Sequence, residues 1–221
     1  MEKNLIFAAI VACGLSVSAA QASTIEIQTG YSTDGTQSSA DAYKSVVDAA
    51  VAIPTAGYGA TPVSIYDGIS NHGLFAGGAG GSIAFESTVN FGVSAANAGS
   101  WEIRSGVDFG NGGAIYVDGQ RIDFKSHDMW WNGSYGDSTQ IFDITLNLSA
   151  GNHTVKLYGL EDCCDGGQQA QFRIGNSTTF TTFSNQDGLI PAVPEPETYA
   201  MMMAGLGLVG FVARRRKGTQ A

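Results

Sequence analysis

The chain has 221 residues, of which 43% are hydrophobic, and a formal net charge of −9 at pH 7. Between Ser23 and Val193 it carries six Lys and Arg against 17 Asp and Glu, which leaves that segment with a net charge of −11. Nucleic acids and anionic membrane surfaces both require a basic footprint on their partner, so the acidic segment excludes them as partners.

Residues 1–22 predict a cleaved secretory signal peptide. Lys3 supplies a short positive region, the stretch from Leu5 to Ala20 is apolar or small apart from two serines, and Ala20-Gln21-Ala22 fits the small-x-small cleavage rule. Ser23 is then the first residue of the exported protein. An alternative is that the four residues ending at Cys13 form a lipoprotein box in which this cysteine is acylated.

Residues 23–193 are numerous enough for one domain with a substantial core, and their pattern is all-β. Short runs rich in β-branched and aromatic residues recur between Gly, Asn and Asp clusters, a spacing typical of an antiparallel β-sandwich or jelly roll. The predicted strands are Thr24–Gln28, Val63–Tyr66, Ser82–Val93, Trp101–Phe109, Ala114–Asp118, Ile141–Leu148, His153–Leu160, Gln171–Ile174 and Thr178–Phe183. Alternation along Ile141–Leu148 predicts one buried and one solvated face.

One segment near the N-terminus has helical spacing instead. Ser38 and Ser39 precede it, Asp41 is placed to complete a capping box, and Pro54 ends it. The apolar positions are Tyr43, Val46, Val47, Ala50 and Val51. We expect one amphipathic helix there, packed over an end or edge of the sandwich.

Three segments in the middle of the chain resemble the flocculin-type lectin sandwich. They are Trp101–Gly110, Ala114–Gly119 and Leu148–Tyr158, which carry a strand, an Asp-Gly turn and an L-x-A-G-x-H sequence in that order. In that family two adjacent Asp residues, joined by a cis peptide bond, hold a calcium ion that orients sugar hydroxyls. Here Asp108 is followed by Phe109, so this pair is interrupted. The resemblance therefore implies the fold of this family, but Phe109 interrupts the Asp pair that its calcium site requires.

A cluster of aromatic residues follows the predicted Asp-Gly turn. Trp130, Trp131 and Tyr135 lie among Asn and Asp residues, and a sugar-binding surface requires this combination of apolar ring faces and polar groups. Adjacent residues on a strand point to opposite faces, so at most one of the two tryptophans is displayed. Packing of each tryptophan in the core is the alternative.

Cys163 and Cys164 are adjacent in sequence, and Cys13 would leave with the signal peptide. Neighbouring Cα atoms lie about 3.8 Å apart across a trans peptide bond and about 2.9 Å apart across a cis one, below the usual disulfide range. An oxidising compartment still favours the bond, because no other intramolecular partner exists. We expect a vicinal disulfide, with two free thiols, an intermolecular bridge or a metal as alternatives. Zinc is disfavoured, since His72, His127 and His153 are remote in sequence.

Three carboxylates surround the cysteine pair. Glu161, Asp162 and Asp165 precede Gly166 and Gly167, which would let backbone carbonyls converge, and calcium accepts such oxygen ligands. The D-x-D-x-D-G spacing of a calcium loop is absent, so a solvated acidic loop is the alternative.

The last 28 residues, 194–221, predict a membrane-anchored sorting segment. A Pro-Glu-Pro sequence, an apolar run of 15 residues and a basic cluster follow one another: Pro194, Glu195, Pro196, then Tyr199–Ala213, then Arg214, Arg215, Arg216 and Lys217. The run is shorter than the roughly 20 residues that span a bilayer, but basic side chains can snorkel, and the basic cluster belongs on the cytoplasmic side.

This tail resembles the PEP-CTERM sorting signal. The resemblance implies a Gram-negative host, a sorting protease of the exosortase type as partner, an inner-membrane intermediate held by the C-terminal helix, and later release to the cell surface or extracellular matrix. Cys-Cys-Asp-Gly together with such a tail resembles the CCXG family of PEP-CTERM proteins, whose name describes a motif and implies no activity.

The sequence lacks motifs for catalysis. It has no G-x-S-x-G, no H-E-x-x-H and no local pairing of Cys with His. We therefore expect a non-enzymatic surface or matrix protein associated with exopolysaccharide. A calcium-assisted carbohydrate-binding module is the first alternative, and a surface glycoside hydrolase, whose two carboxylates pair only in space, is the second.

Overall fold

Strands dominate the structure. A computed structural model describes residues 23–76 and 81–189; the predicted signal peptide and the sorting segment lie outside them. In chain order the elements are β1 (Thr24–Tyr31), α1 (Ala40–Val51), β2 (Ala60–Val63), α2 (Asn71–Phe75), β3 (Ile83–Val93), β4 (Gly99–Gly106), β5 (Asp108–Phe109), β6 (Gly113–Val117), β7 (Gln120–Lys125), β8 (Met129–Trp130), β9 (Ile141–Leu148), β10 (Gly151–Glu161), β11 (Gln169–Ile174) and β12 (Thr181–Thr182).

These strands form three antiparallel sheets. The first has six strands in the order β2-β1-β3-β10-β6-β7, the second has four in the order β12-β11-β4-β9, and a small ribbon pairs β5 with β8. The longest pairing joins β3 and β10 over eleven residues, from Ile83 opposite Glu161 to Val93 opposite Gly151. The predicted antiparallel β-rich fold is confirmed.

The main core lies between the two larger sheets. Both sheets contribute buried side chains to it, for example Ile27, Phe85 and Leu157 from the first and Ile103 and Phe142 from the second. An aromatic chain crosses it: Phe91 lies 5.5 Å from Trp101, Trp101 lies 5.3 Å from Phe172, and Phe172 lies 4.8 Å from Phe183, measured between ring centroids. Burial of such rings supplies much of the driving force for folding. Along β9 the burial alternates as the sequence predicts.

The predicted helix forms as α1, but its cap and its position differ from expectation. Ser39 is the N-cap, and its Oγ accepts a hydrogen bond from the Ala42 amide at 3.2 Å. Asp41 therefore falls one position short of a capping box and instead accepts a hydrogen bond from the Tyr116 hydroxyl at 2.7 Å. The helix lies across the outer face of the six-stranded sheet rather than at an end or edge.

Apolar residues on the outer face of β3, β6 and β10 explain this position. Each of these central strands is apolar on both faces, so a second cover is required. Tyr43 and Val47 of α1 cover this outer face, in a cluster with Ala84, Ala114, Tyr116, Tyr158 and Leu160. The helix thus builds a second, smaller core.

Several elements were missed or misplaced by the sequence pattern. The helix α2 and the strands β7 and β8 were not predicted, the predicted strand Val63–Tyr66 begins where β2 ends, and only Thr181–Thr182 of the last predicted strand forms a strand. The hairpin turn between β6 and β7 was predicted correctly: Asp118 and Gly119 have φ angles of 50° and 75°, as a two-residue turn of this type requires. A β-bulge interrupts that pairing between Ile115 and Tyr116. Neither helix among the described residues is long and apolar enough to cross a membrane.

Candidate functional site

An open cleft of about 410 Å³ lies where β5, β8 and the loop after β10 meet. It brings together one tryptophan, four carboxylates and the cysteine pair. The lining residues are Asp108, Gly110, Asp128, Trp130, Glu161, Asp162, Cys163, Cys164 and Gly166.

The β5–β8 ribbon sets one wall of the cleft. Phe109 and Met129 pair across it and are both fully buried, which anchors the ribbon in the core. Because successive side chains on a strand alternate, the other pair, Asp108 and Trp130, faces the cleft. Trp130 is 59% exposed, whereas Asp108 is 9% exposed. The ribbon therefore presents an indole toward solvent beside a buried carboxylate.

Glu161 is the last residue of β10 and is 5% exposed. Its Oε2 accepts a hydrogen bond from the Gly110 amide at 2.7 Å, and its Oε1 accepts one from the Cys163 amide at 2.5 Å. Burial raises the pKa of Glu161 to about 7, the charges of Asp108 and Asp162 act in the same direction, and the two amide donors oppose them. Glu161 thus joins the segment after β5 to the loop after β10.

Asp108 holds the same loop at a second point. Its Oδ2 accepts a hydrogen bond from the Gly166 amide, and a Cβ at Gly166 would lie 2.4 Å from that oxygen. Burial raises the pKa of Asp108, and the negative charges of Asp128 and Asp165 add to the effect, while the Gly166 amide opposes it. Two buried carboxylates of the cleft therefore accept hydrogen bonds from the loop on either side of the disulfide.

The cysteine pair lies in the segment of the loop between these two hydrogen bonds. An S–S bond of 2.01 Å joins Cys163 to Cys164, and both residues are exposed. Cys164 has a φ angle of 80° and Asp165 one of 49°, in the left-handed region, which Asp tolerates but Cys seldom adopts. The loop is thus sharply bent at the disulfide.

Asp165 turns away from the cleft and caps α2. Its carboxylate accepts the backbone amides of Asn71 at 2.7 Å and His72 at 2.5 Å. Of the three carboxylates predicted as calcium ligands, Glu161 and Asp162 line the cleft and Asp165 does not. Within residues 23–76 and 81–189, no group of three or more His, Cys, Asp or Glu side chains is arranged to hold a metal ion.

The three aromatic residues predicted as a sugar-binding surface are also divided. Trp130 lines the cleft, whereas Trp131 packs over Gly106 and its ring centroid lies 5.2 Å from that of Tyr135. Tyr135 in turn stacks on the Arg104 guanidinium at 3.8 Å. One tryptophan is displayed and the other is packed, as expected for adjacent residues that point in opposite directions.

The sequence interpretation missed Asp108 and Asp128 as parts of the site. Asp108 was noted only as half of an interrupted Asp pair, and Asp128 precedes β8, which was not predicted. The ribbon of β5 and β8 brings them to Glu161 and Asp162 from more than 30 positions away. No local pattern marks such an encounter.

Comparison with known proteins gives one match in sequence. Residues 192–217 match the PEP-CTERM protein-sorting motif, which confirms the predicted recognition of the tail. This motif indicates an exported protein that reaches the cell surface through a membrane-anchored intermediate and is processed by an exosortase. No curated protein matches the chain.

Several solved structures are similar to the chain at low identity. The PA14 sugar-binding domain from an RTX adhesin is 15% identical, with 79% of this chain and 100% of that chain covered and a TM-score of 0.48. A subtype-switched epithelial adhesin 9 to 1 A domain from Candida glabrata, in complex with β-lactose, is 10% identical, with 76% of this chain and 86% of that chain covered and a TM-score of 0.44. A β-glucosidase from Kluyveromyces marxianus, in complex with glucose, is 16% identical, with 69% and 16% covered and a TM-score of 0.43.

Proposed function

We propose that this protein is a non-enzymatic carbohydrate-binding domain displayed at the cell surface or in the extracellular matrix, where it contacts exopolysaccharide through the cleft around Trp130. One observation carries the proposal: the cleft places an exposed indole beside several carboxylates. This surface supports the predicted association with exopolysaccharide.

The two kinds of group match the two kinds of sugar surface. The C–H face of a pyranose packs on an aromatic ring, and the 59% exposed ring of Trp130 is available for this contact. Ionised carboxylates only accept hydrogen bonds, so Asp108, Asp128 and Asp162 are suited to sugar hydroxyl donors. Among the described residues that line the cleft there is no Lys or Arg, so its negative charge favours neutral sugars over uronates.

The hydrolase alternative depends on Glu161. A glycosidase requires an acid with a raised pKa, and Glu161 is the cleft carboxyl whose pKa rises to about 7. Both of its oxygens, however, accept backbone amides, from Gly110 and Cys163, and the residue is 5% exposed. This geometry favours a structural task over proton donation to a substrate. Release of new reducing ends from a bound glycan would support the hydrolase instead.

Glycan binding by the exported protein tests the proposal. We expect binding to neutral oligosaccharides on a printed array of neutral, amino-sugar and uronate glycans. Trp130→Ala should weaken it by about tenfold or more, the loss typical of a central aromatic contact. Tyr31→Ala is the matched control, because Tyr31 is 54% exposed and lies outside the cleft lining. Equal binding by wild type and Trp130→Ala would overturn the proposal.

A calcium-assisted form of this function is the second candidate, and the repulsion between Asp108 and Asp128 favours it. Burial is the main cause of the raised pKa of Asp108, the charge of Asp128 adds to it, and a divalent cation would relieve the repulsion between the two carboxylates. Since no three protein ligands are in place among the described residues, sugar hydroxyls and water would have to complete the coordination shell.

Calcium dependence of glycan binding tests this second candidate. Chelation of calcium should weaken binding, and Asp128→Asn should remove the dependence on calcium. Asp165→Ala is unsuitable here, because it removes the acceptor for two amides of α2 whether or not calcium binds. Binding that is identical with and without chelator would exclude calcium and leave the carbohydrate proposal intact.

A further inference from the structure

We propose that the Cys163–Cys164 disulfide is a ligand-contacting wall of the Trp130 cleft, and that the cleft binds its ligand at full strength only while the pair is oxidised. The inference rests on the proposed function, because it assigns a role within the same site. It concerns the one structural element of the cleft whose chemistry can be reversed without changing the sequence.

The disulfide lies where a ligand would meet it. Cys163 and Cys164 are both exposed and line the same cleft as Trp130. The other side chains of the lining are carboxylates, so the indole and the S–S bond are its apolar surfaces. A disulfide has no hydrogen-bond donor, whereas the reduced pair would present two S–H groups. Oxidation therefore supplies an apolar contact beside groups that accept hydroxyl hydrogens.

The disulfide also closes a covalent ring around a bent backbone. Cys164 and Asp165 have φ angles of 80° and 49°, in a left-handed region that Asp tolerates but that Cys keeps only where its surroundings enforce it. The ring through the two sulfur atoms enforces the angle at Cys164, and the hydrogen bonds of Asp165 to α2 enforce the next one. Without the S–S bond, one of these two constraints is lost.

Loss of that constraint would reach the carboxylates of the cleft. The amide of Cys163 donates to Glu161, and the amide of Gly166 donates to Asp108, on either side of the disulfide. The loop also packs closely on Gly81, where an added Cβ would lie 2.1 Å from the carbonyl oxygen of Asp162. A loop that relaxes after reduction would displace the two donor amides together, so Asp108, one of the acceptors for the ligand, would shift with the apolar wall.

Reduction of the bond has a defined balance. Dithiothreitol supplies two electrons and two protons, the S–S bond breaks, two cysteine thiols form, and the dithiol closes into its own cyclic disulfide. Removal of the reductant in air reverses the step, with oxygen as the electron acceptor. Because both cysteines are exposed, the reagent has direct access to them.

The printed glycan array again serves as the probe, applied to the exported protein in three states: oxidised, treated with dithiothreitol, and re-oxidised. We expect reduction to weaken binding by about tenfold or more, which corresponds to about 1.4 kcal/mol or more, and re-oxidation to restore it. The variant Cys163→Ser/Cys164→Ser should bind like the reduced protein, and dithiothreitol should not change it further. This last arm controls for other effects of the reductant.

Each outcome of this experiment either supports or overturns the inference. Equal binding by oxidised and reduced protein, with Trp130→Ala still defective, would overturn this inference and leave the proposed function standing. No binding by the oxidised protein would overturn both. Circular dichroism separates a local effect from unfolding. The reduced wild type should keep its far-ultraviolet spectrum. Loss of that spectrum would mean that the disulfide stabilises the whole fold, and would overturn the inference that it acts as a wall of the cleft.

Discussion

Asp165 Oδ1 lies 2.7 Å from the backbone nitrogen of Asn71, so a loop residue caps a helix that begins 94 positions earlier in the chain. The same carboxylate accepts the His72 amide. Two amide donors at a helix N-terminus favour a negative charge there. The bonds join α2 to the loop that carries the disulfide, so the stability of the one depends on the other.

Asp165→Ala should lower the free energy of unfolding by about 2–3 kcal/mol, because it leaves two amides without their charged acceptor. Asp165→Asn should cost less, since Asn keeps one acceptor oxygen and tolerates the left-handed backbone. Urea denaturation measures both. Asp128→Ala, which removes an exposed carboxylate from the same cleft, should stay within about 0.5 kcal/mol of wild type. Equal losses at the two positions would contradict the capping role.

Glu161 predicts a pH dependence of stability. Its pKa in the folded state is about 7 against an ordinary value of 4.5, so between these two values the folded state holds a proton that the unfolded state has released. The free energy of unfolding should therefore fall as the pH rises through this window, with a slope of at most about 1.4 kcal/mol per pH unit from this group, and level off above it.

Chemical denaturation at several pH values from 5 to about 8 provides the measurement. Glu161→Gln cannot titrate, so the difference in stability between wild type and this variant isolates the contribution of Glu161. The advantage of wild type over the variant should shrink with rising pH. A growing advantage would mean that the two amide donors, from Gly110 and Cys163, outweigh burial.

Gly106 predicts a steric constraint. A Cβ at this position would lie 2.2–2.4 Å from ring atoms of Trp131, so Gly106→Ala must displace the indole from its place beside Tyr135. We expect a loss of about 1–3 kcal/mol and a change in the near-ultraviolet circular dichroism. Gly35→Ala is the control, because a Cβ there meets nothing within 4 Å. Unchanged spectra for both variants would show that Trp131 adapts freely.

The sequence pattern predicted the features that depend on residues close together in the chain. The alternation in β9 and the turn at Asp118-Gly119 depend on neighbours in sequence, and both were predicted correctly. The helix α2, whose N-cap is Ser70, was missed because its five residues are too few for a helical period, and Asp165, which accepts its first two amides, lies far along the chain. The cleft was missed because the β5–β8 ribbon that positions Trp130 and Asp108 has two residues in each strand, too few for a periodic signal.

The basic cluster at the C-terminus predicts a sorting phenotype. Residues 192–217 match the sorting motif, and a basic stop orients a short apolar segment in the membrane. Changing Arg214, Arg215 and Arg216 together to Ser should weaken membrane retention and abolish sorting. Cell fractionation and surface labelling measure the two effects, with Arg121→Ser in the β7 hairpin as the control. Normal processing and display of the triple variant would contradict the role of the cluster.

The two edges of the six-stranded sheet bear on how neighbouring copies behave at a crowded surface. At one edge, Pro62 in β2 lacks the amide that an added strand would need. At the other, β7 alternates Arg121, Asp123 and Lys125 with its apolar residues, and the bulge near Ile115 twists it. Neither edge invites the strand of another copy. Pairing of strands between neighbouring copies through the six-stranded sheet is therefore disfavoured.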